Sequence, residues 1–274
     1  MPDRGMAPER MTDDRRVASG DVRLGLEVFG EGPPLVYVHG LGGCRHLVSG
    51  ALAPLAARHR IIVFTQRGHC DSTPVRDPSG FDPDRMAEDL GAVLDHLEIE
   101  RAAVVGESMG AATSLLFAIR HPARVEQLVQ IAPTAVDQPN PSREVVEALA
   151  DIAVRHGLAG AAAATTLVAM SHGVPRAVAE AVTSHWVEHD LESFVAAHRA
   201  VPEWQVLPSL DPVGDLDIPI GVLAWGGDPT RPVAQARRLA TAARRGRLET
   251  VASITEFVTN PMLFGTLIER LLAA

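Results

Sequence analysis

Val22, Leu24, Leu26 and Val28 alternate with Arg23 and Glu27, the period of two that marks a half-buried strand. After the turn-forming GEGPP, the wholly apolar run 35–38 predicts a second, fully buried strand, and the two together predict a hairpin that opens a sheet. Further apolar runs at 61–64, 103–105 and 127–131 alternate with helical patterns at about 82–97 and 108–120. Strand and helix in alternation imply parallel crossover units and a sheet covered on both faces. From 136 to 207 only helical patterns occur, broken by Pro139, Pro141, Gly157, Gly173, Pro175 and Pro202. Strand signals return at 218–224 and 248–251, and a last helix is predicted over 261–272. The block 136–207 is therefore expected to be a helical cap inserted into an α/β core of 16–135 and 208–274, over the carboxyl edge of the sheet where ligands bind in open α/β folds. Residues 1–15 are polar without periodicity and read as a disordered tail.

With 274 residues, 46% of them apolar and 4% aromatic, the chain can bury one large core built from Ala, Val and Leu. All 25 basic residues are arginine. The absence of lysine excludes Schiff-base chemistry, a pyridoxal-phosphate anchor and a P-loop. A formal charge of -9 argues against a nucleic-acid partner. Cys44 and Cys70 are too few for a disulfide framework or a thiolate zinc site. The N-terminus has no apolar run resembling a signal peptide, and the longest uncharged stretch, 157–171, is shorter than the ~20 residues of a spanning helix. A cytoplasmic protein without a membrane span is expected. Abundant alanine and arginine with no lysine also suggest a GC-rich bacterial genome.

The chemistry concentrates in three segments. In Gly106-Glu107-Ser108-Met109-Gly110, G-x-S-x-G follows an apolar strand and opens a helix, the context in which a serine is held on a sharp turn with its hydroxyl above the sheet. Upstream, His39-Gly40-Leu41-Gly42-Gly43 follows a strand, and its glycines let a backbone N–H face the pocket. The amides of Leu41 and Met109 would be the two donors of an oxyanion hole. A third turn, Gln66-Arg67-Gly68-His69-Cys70-Asp71-Ser72, follows the next strand.

In this order and spacing the three segments resemble the α/β-hydrolase superfamily, over nearly the whole chain after the tail. The resemblance implies an eight-stranded, mostly parallel sheet with helices on both faces, a helical cap after the sixth strand, and a Ser–acid–His triad. It departs at the third turn, where relatives commonly show D-x-R-G-x-G-x-S and this chain has Gln66 and Cys70. Family position puts the acid at Asp228, in the loop after the seventh strand; the alternative is a helix N-terminal aspartate favoured by the dipole of the following helix, with Asp137 as a second candidate acid.

The histidine is missing. Ile254 stands where the resemblance places it, and the last histidine of the chain is His198. Loss of the serine or histidine of such a triad costs ~10⁶ in turnover, so another base or another reaction is required. The cap histidines His172, His185, His189 and His198 are the candidate replacements, His185 and His189 sharing a helix face. His46 and His69 lie nearer the core loops, His39 is expected to buttress the oxyanion loop, and Glu256 is a candidate carboxylate base. Arg231 is expected as a solvated loop arginine, with pairing to Asp228 or to an anionic substrate as the alternatives, and Cys44 is expected as a small buried hydrophobe. No ligand spacing or dinucleotide fingerprint implies a metal or redox cofactor.

Three readings follow. The first is a cofactor-free serine-type hydrolase of a small ester, lactone or thioester. The second is a lyase, cyclase or isomerase using the same oxyanion pocket, and the third a ligand-binding homologue without catalysis. The expected partner is a small, largely apolar molecule, with Trp186, Phe194 and Trp204 either forming the roof of its pocket or packing between cap helices, and homo-oligomerisation stays open.

Overall fold

The computed structural model describes residues 15–134, 136–228 and 231–273. In chain order the elements are β1 (Arg15–Ser19), β2 (Val22–Phe29), β3 (Pro34–Val38), α1 (Arg45–Leu52), β4 (Arg60–Phe64), α2 (Pro83–His96), β5 (Ala102–Glu107), α3 (Met109–Arg120), β6 (Val125–Ile131), α4 (Arg143–Ser171), α5 (Arg176–Thr183), α6 (Leu191–Ala200), α7 (Asp211–Gly214), β7 (Ile220–Trp225), α8 (Val233–Ala242), β8 (Gly246–Val251), α9 (Thr255–Thr259) and α10 (Pro261–Leu272). One eight-stranded sheet runs in the order β1-β2-β4-β3-β5-β6-β7-β8. The β1/β2 and β2/β4 pairs are antiparallel and all the others parallel.

The predicted hairpin between the strands at 22–28 and 35–38 does not form. β2 pairs with β1 and β4, and β3 lies further in, between β4 and β5. The reason is cover. β3 is apolar on both faces and needs helices above and below, whereas β2 carries Arg23 and Glu27 and suits a place near the edge. β1 begins at Arg15, the last residue of the expected tail, and Val17 within it is 1% exposed. The rest of that segment lies outside the described residues.

The strand period of two sorts the core into two layers. Leu35, Tyr37, Ile61, Val63 and Val105 face α1 and α10 through Leu52, Leu267 and Ile268. Val36, Val38, Ile62, Phe64 and Val104 face α2, α3 and α8 through Leu90, Leu115 and Leu239. Between β6 and β7 the described residues form helices and no strand. Of these, α4 is long and apolar enough to cross a membrane by length and composition alone. Gly157, at φ 70° and ψ 178°, breaks it into two halves, each roughly 21 Å long against a hydrocarbon core of ~30 Å.

One ion pair inside this frame has no local sequence signal. Arg67, in the turn after β4, meets Asp89 of α2 in a fork of 2.7 and 2.8 Å bonds, with both side chains under 5% exposed. Burial raises the Asp89 carboxyl above its usual range, more than Arg67 lowers it. Removing one partner strands a buried charge. Arg67→Ala is therefore expected to cost about 3–5 kcal/mol in urea unfolding, and the double change Arg67→Met/Asp89→Leu to cost far less.

Candidate active site

β5 ends and α3 begins across one residue. Ser108 sits there at φ 52° and ψ −111°, a conformation that a side chain adopts only when its surroundings impose it. Its N–H donates to the Ile131 carbonyl at 2.9 Å, and its carbonyl accepts from the Ala111 and Ala112 amides. Missing side chains make the bend possible. A Cβ on Gly110 would strike the Val38 and His39 carbonyls, and one on Gly106 would strike Ser114 Oγ and the Gly110 carbonyl. Ser108 is half-buried, and it lines a cavity.

The loop after β3 passes against this serine. It is a turn closed by Gly43 N–H on the Gly40 carbonyl at 3.0 Å, with Gly42 at φ 73°, the left-handed value that favours glycine there. A Cβ on Gly40 would lie 3.3 Å from Ser108 Cβ. His39 pins the turn: its Nδ1–H donates to the Gly40 carbonyl at 2.8 Å, and its Nε2 accepts the Gln66 N–H at 2.9 Å. Because a carbonyl only accepts, the tautomer is set. Leu41 and Met109 line the cavity with Ser108. Met109 is the first residue of α3, so its N–H has no acceptor within the helix.

The cavity measures about 760 Å³, and its wall is mostly aliphatic, with Val145, Leu149 and Ile152 from one half of α4, Val168 from the other, and Val182 from α5. Trp186 lines it, whereas Phe194 and Trp204, expected in the same roof, pack behind: Phe194 stacks on His198, and Trp204 Nε1 donates to the Phe81 carbonyl at 3.0 Å. Polar groups on the wall include Ser108, Asn140, His172, His198, Asp228 and Arg231.

Asp228 is on the wall, and its carboxylate receives Arg231 Nε at 2.9 Å and the Arg231 N–H at 3.1 Å. The guanidinium lies 5.5 Å from the Trp225 ring centroid. Ile254 lines the same wall between Ser253 and Thr255, so the place read from the sequence as the histidine's holds an aliphatic side chain. Asp137 pairs with Arg238 at 2.6 Å, away from the described cavity wall. Glu256, a candidate base, instead accepts the Ala252 and Ser253 amides at 2.6 and 3.3 Å.

The histidines separate into two groups. His172 and His198 line the cavity. His198 donates Nδ1–H to the Phe194 carbonyl at 2.8 Å, which leaves Nε2 as its lone-pair nitrogen. Burial holds this imidazole down at about 3, so it is neutral near pH 7. His185 and His189 instead join His39 and His69 behind the glycine turn, with ring centroids 5.2 Å apart for His39/His69, 5.6 Å for His69/His189 and 6.0 Å for His185/His189. His185 donates from Nε2 to the Gly42 carbonyl at 2.6 Å, and His46 faces His185 while pairing with Glu188 at 3.3 Å.

A family model described as alpha/beta hydrolase fold matches residues 33–251. The chain belongs to that family. Among curated proteins it is similar to 3-oxoadipate enol-lactonase 2 of Acinetobacter baylyi, 28% identical over 92% of this chain and 94% of that one. A shorter match, 40% identical over 34% of this chain and 32% of the other, is to the magnesium-chelatase 30 kDa subunit of Rhodobacter capsulatus. Among solved structures it resembles the enol-lactonase from Burkholderia xenovorans LB400, with a TM-score of 0.80 at 22% identity, covering 95% of this chain and 100% of that one. A thermophilic esterase from Thermogutta terrifontis gives 0.80 at 20% identity, covering 94% and 97%.

Within this alpha/beta hydrolase two features escape sequence reading. Cys44, expected as a small buried hydrophobe, is buried but joined to Cys70 in a disulfide with the Cα atoms 6.0 Å apart. A separation of 26 residues carries no local signal of that pairing. Tyr37 donates to Glu107 at 2.6 Å beneath the serine turn; the hydroxyl interrupts an otherwise apolar strand and is the one hint available.

Burial also lowers His39 to about 3, against an ordinary 6.5. His39 and His198 therefore bind fewer protons folded than unfolded between pH 6.5 and about 3. Their contribution to stability is complete above 6.5 and is lost as the pH falls through that window. Urea unfolding from pH 7.5 to 5.0 is expected to show stability decreasing from near 6.5 downward, approaching about 1.4 kcal/mol per pH unit for each histidine, and His198→Phe is expected to flatten the slope.

Proposed function

We propose that this alpha/beta hydrolase cleaves a small, largely apolar ester or lactone through Ser108, with the Leu41 and Met109 amides as oxyanion donors and a base drawn from the helices between β6 and β7. The observation behind this reading is the common cavity: strained serine, glycine turn and helix-opening amide all border one aliphatic space. A relative over almost the whole chain is named an enol-lactonase, which favours an ester or lactone carbonyl.

Among the candidate bases His198 is favoured. It is buried and lines the same cavity as Ser108, with its protonated nitrogen committed to Phe194 and its lone pair on Nε2. Ser108 Oγ attacks the carbonyl carbon and passes its proton to Nε2, and the oxyanion collapses to an acyl-serine as the imidazolium returns the proton to the leaving oxygen. Water then hydrolyses the acyl-serine by the same transfers in reverse order. An imidazole with so depressed a pKa is a weak base, so turnover is slower than with a complete triad. Asp228, bound to Arg231 beside Ile254, gives the cavity a polar end opposite its aliphatic wall.

An organophosphorus probe followed by intact mass is expected to label the wild type once, at Ser108, and Ser108→Ala not at all. His198→Ala is expected to lower kcat on a short-chain ester or lactone about a hundredfold or more. Ile254→His puts an imidazole on the wall that holds Asp228 and is expected to raise kcat. Turnover unchanged in Ser108→Ala would exclude the nucleophile and move the reading to an oxyanion-pocket lyase or isomerase. Ligand binding without turnover in any variant would leave the third reading, a binding protein.

A further inference from the structure

Next to the glycine turn, and away from the described cavity wall, three chain segments bring soft donors together. Cys44 is the residue before α1, Cys70 lies in the turn after β4, and His189 precedes α6. Both Sγ atoms and a ring nitrogen of His189 fall within 4.8 Å of one another. Cys70 Sγ is 3.6 Å from His189 Nδ1 and 3.7 Å from Nε2. In a tetrahedral site with Zn–S of ~2.3 Å and Zn–N of ~2.0 Å the sulfur-to-nitrogen edge is roughly 3.5 Å.

Two further observations point to a ligand. His69 is 1% exposed and donates Nδ1–H to the Arg67 carbonyl at 2.8 Å. Its Nε2 is buried with no hydrogen-bond partner, although its ring packs 5.6 Å from that of His189. An imidazole that donates one nitrogen to a backbone carbonyl and keeps the other buried and bare has the hydrogen bonding of a metal ligand with its outer partner in place, and a buried unsatisfied nitrogen otherwise costs about 1–3 kcal/mol. A disulfide offers that nitrogen nothing. Cys70, moreover, holds φ 34°, a left-handed backbone that costs a side-chain-bearing residue about 1–2 kcal/mol, so a thiol stands where the chain conformation favours glycine.

We infer that, with the Cys44–Cys70 bond reduced, Cys44, Cys70 and His189 bind one zinc ion, with His69 Nε2, outside their 4.8 Å cluster in the disulfide form, swinging in as the fourth donor. A dithiol or phosphine reductant supplies the two electrons that convert the disulfide to two thiols. Each thiol then gives up a proton as its sulfur binds the ion, and both imidazoles bind as neutral donors. The four ligands come from the start of α1, the turn after β4 and the segment before α6, so the ion fastens the inserted helices to the back of the glycine turn. The site is independent of the proposed hydrolysis.

The test uses the full chain, reduced with a phosphine under anaerobic conditions, freed of metal with a chelator and titrated with zinc against a chromogenic competitor. One equivalent is expected to bind with release of about two protons. Zinc is expected to protect both thiols from alkylation. His189→Ala and Cys70→Ser are each expected to weaken binding more than a hundredfold, beyond the ~10–100-fold cost of losing an outer partner. Cobalt in the unmutated chain is expected to show a thiolate-to-metal charge-transfer band, a reading that requires no variant to fold. Absence of that band, sub-stoichiometric zinc in the reduced wild type, or full affinity in Cys44→Ser/Cys70→Ser overturns the site. Full affinity in His69→Ala overturns its fourth donor.

Discussion

The absence of two side chains shapes the centre of this molecule. Because Gly106 and Gly110 carry no Cβ, α3 starts against the carbonyls that end β3, and the backbone between them must turn within one residue. Ser108 absorbs that turn in a left-handed conformation that local preference opposes. The strain is held by the bonds that flank it, the Ser108 N–H donating to the Ile131 carbonyl and the Ser108 carbonyl accepting from the Ala111 and Ala112 amides. The same close approach sets the glycine turn after β3 alongside the serine, so Ser108 and that turn are placed by a single packing constraint. An added methyl group at either glycine would displace both together.

The second organising feature is a layer of neutral histidines. His39 and His69 are buried on core loops, His189 and His198 on the inserted helices, and desolvation lowers the pKa of each far below its ordinary value. Neutral imidazoles offer one donor and one acceptor, and in this layer the donor is spent on a nearby backbone carbonyl in His39, His69 and His198. What remains is a set of lone pairs, that of His39 engaged by the Gln66 amide and that of His69 buried without a partner. The chain thus builds two chemically different places on the two sides of one glycine turn, an aliphatic cavity with a serine and a compartment of sulfur and imidazole.

Much of the architecture was legible along the chain. The alternation in β2, the apolar runs of β3 to β7 and the proline-punctuated helical block predict the α/β fold and its insertion, because periodicity reports how many faces an element buries. The serine turn was legible for the same reason: a glycine on each side of a serine between strand and helix states a steric requirement. Partners distant in sequence were not legible. Arg67 with Asp89 and Cys44 with Cys70 depend on which loops meet, and no spacing encodes that, whereas the pairing of Arg231 with Asp228, three residues apart, was among those the spacing offered. The hairpin expected from adjacent strands failed likewise, since strand order follows the cover each strand needs rather than its neighbours in the chain.

By itself the sequence determined the elements, the serine turn and the lack of any histidine after His198, since these are properties of local pattern and composition. Only the tertiary structure decided which histidines reach the cavity and which gather at the cysteines. That choice rests on the path of the helices between β6 and β7, and their path is set by apolar contacts summed over distant segments, which one segment of sequence does not contain.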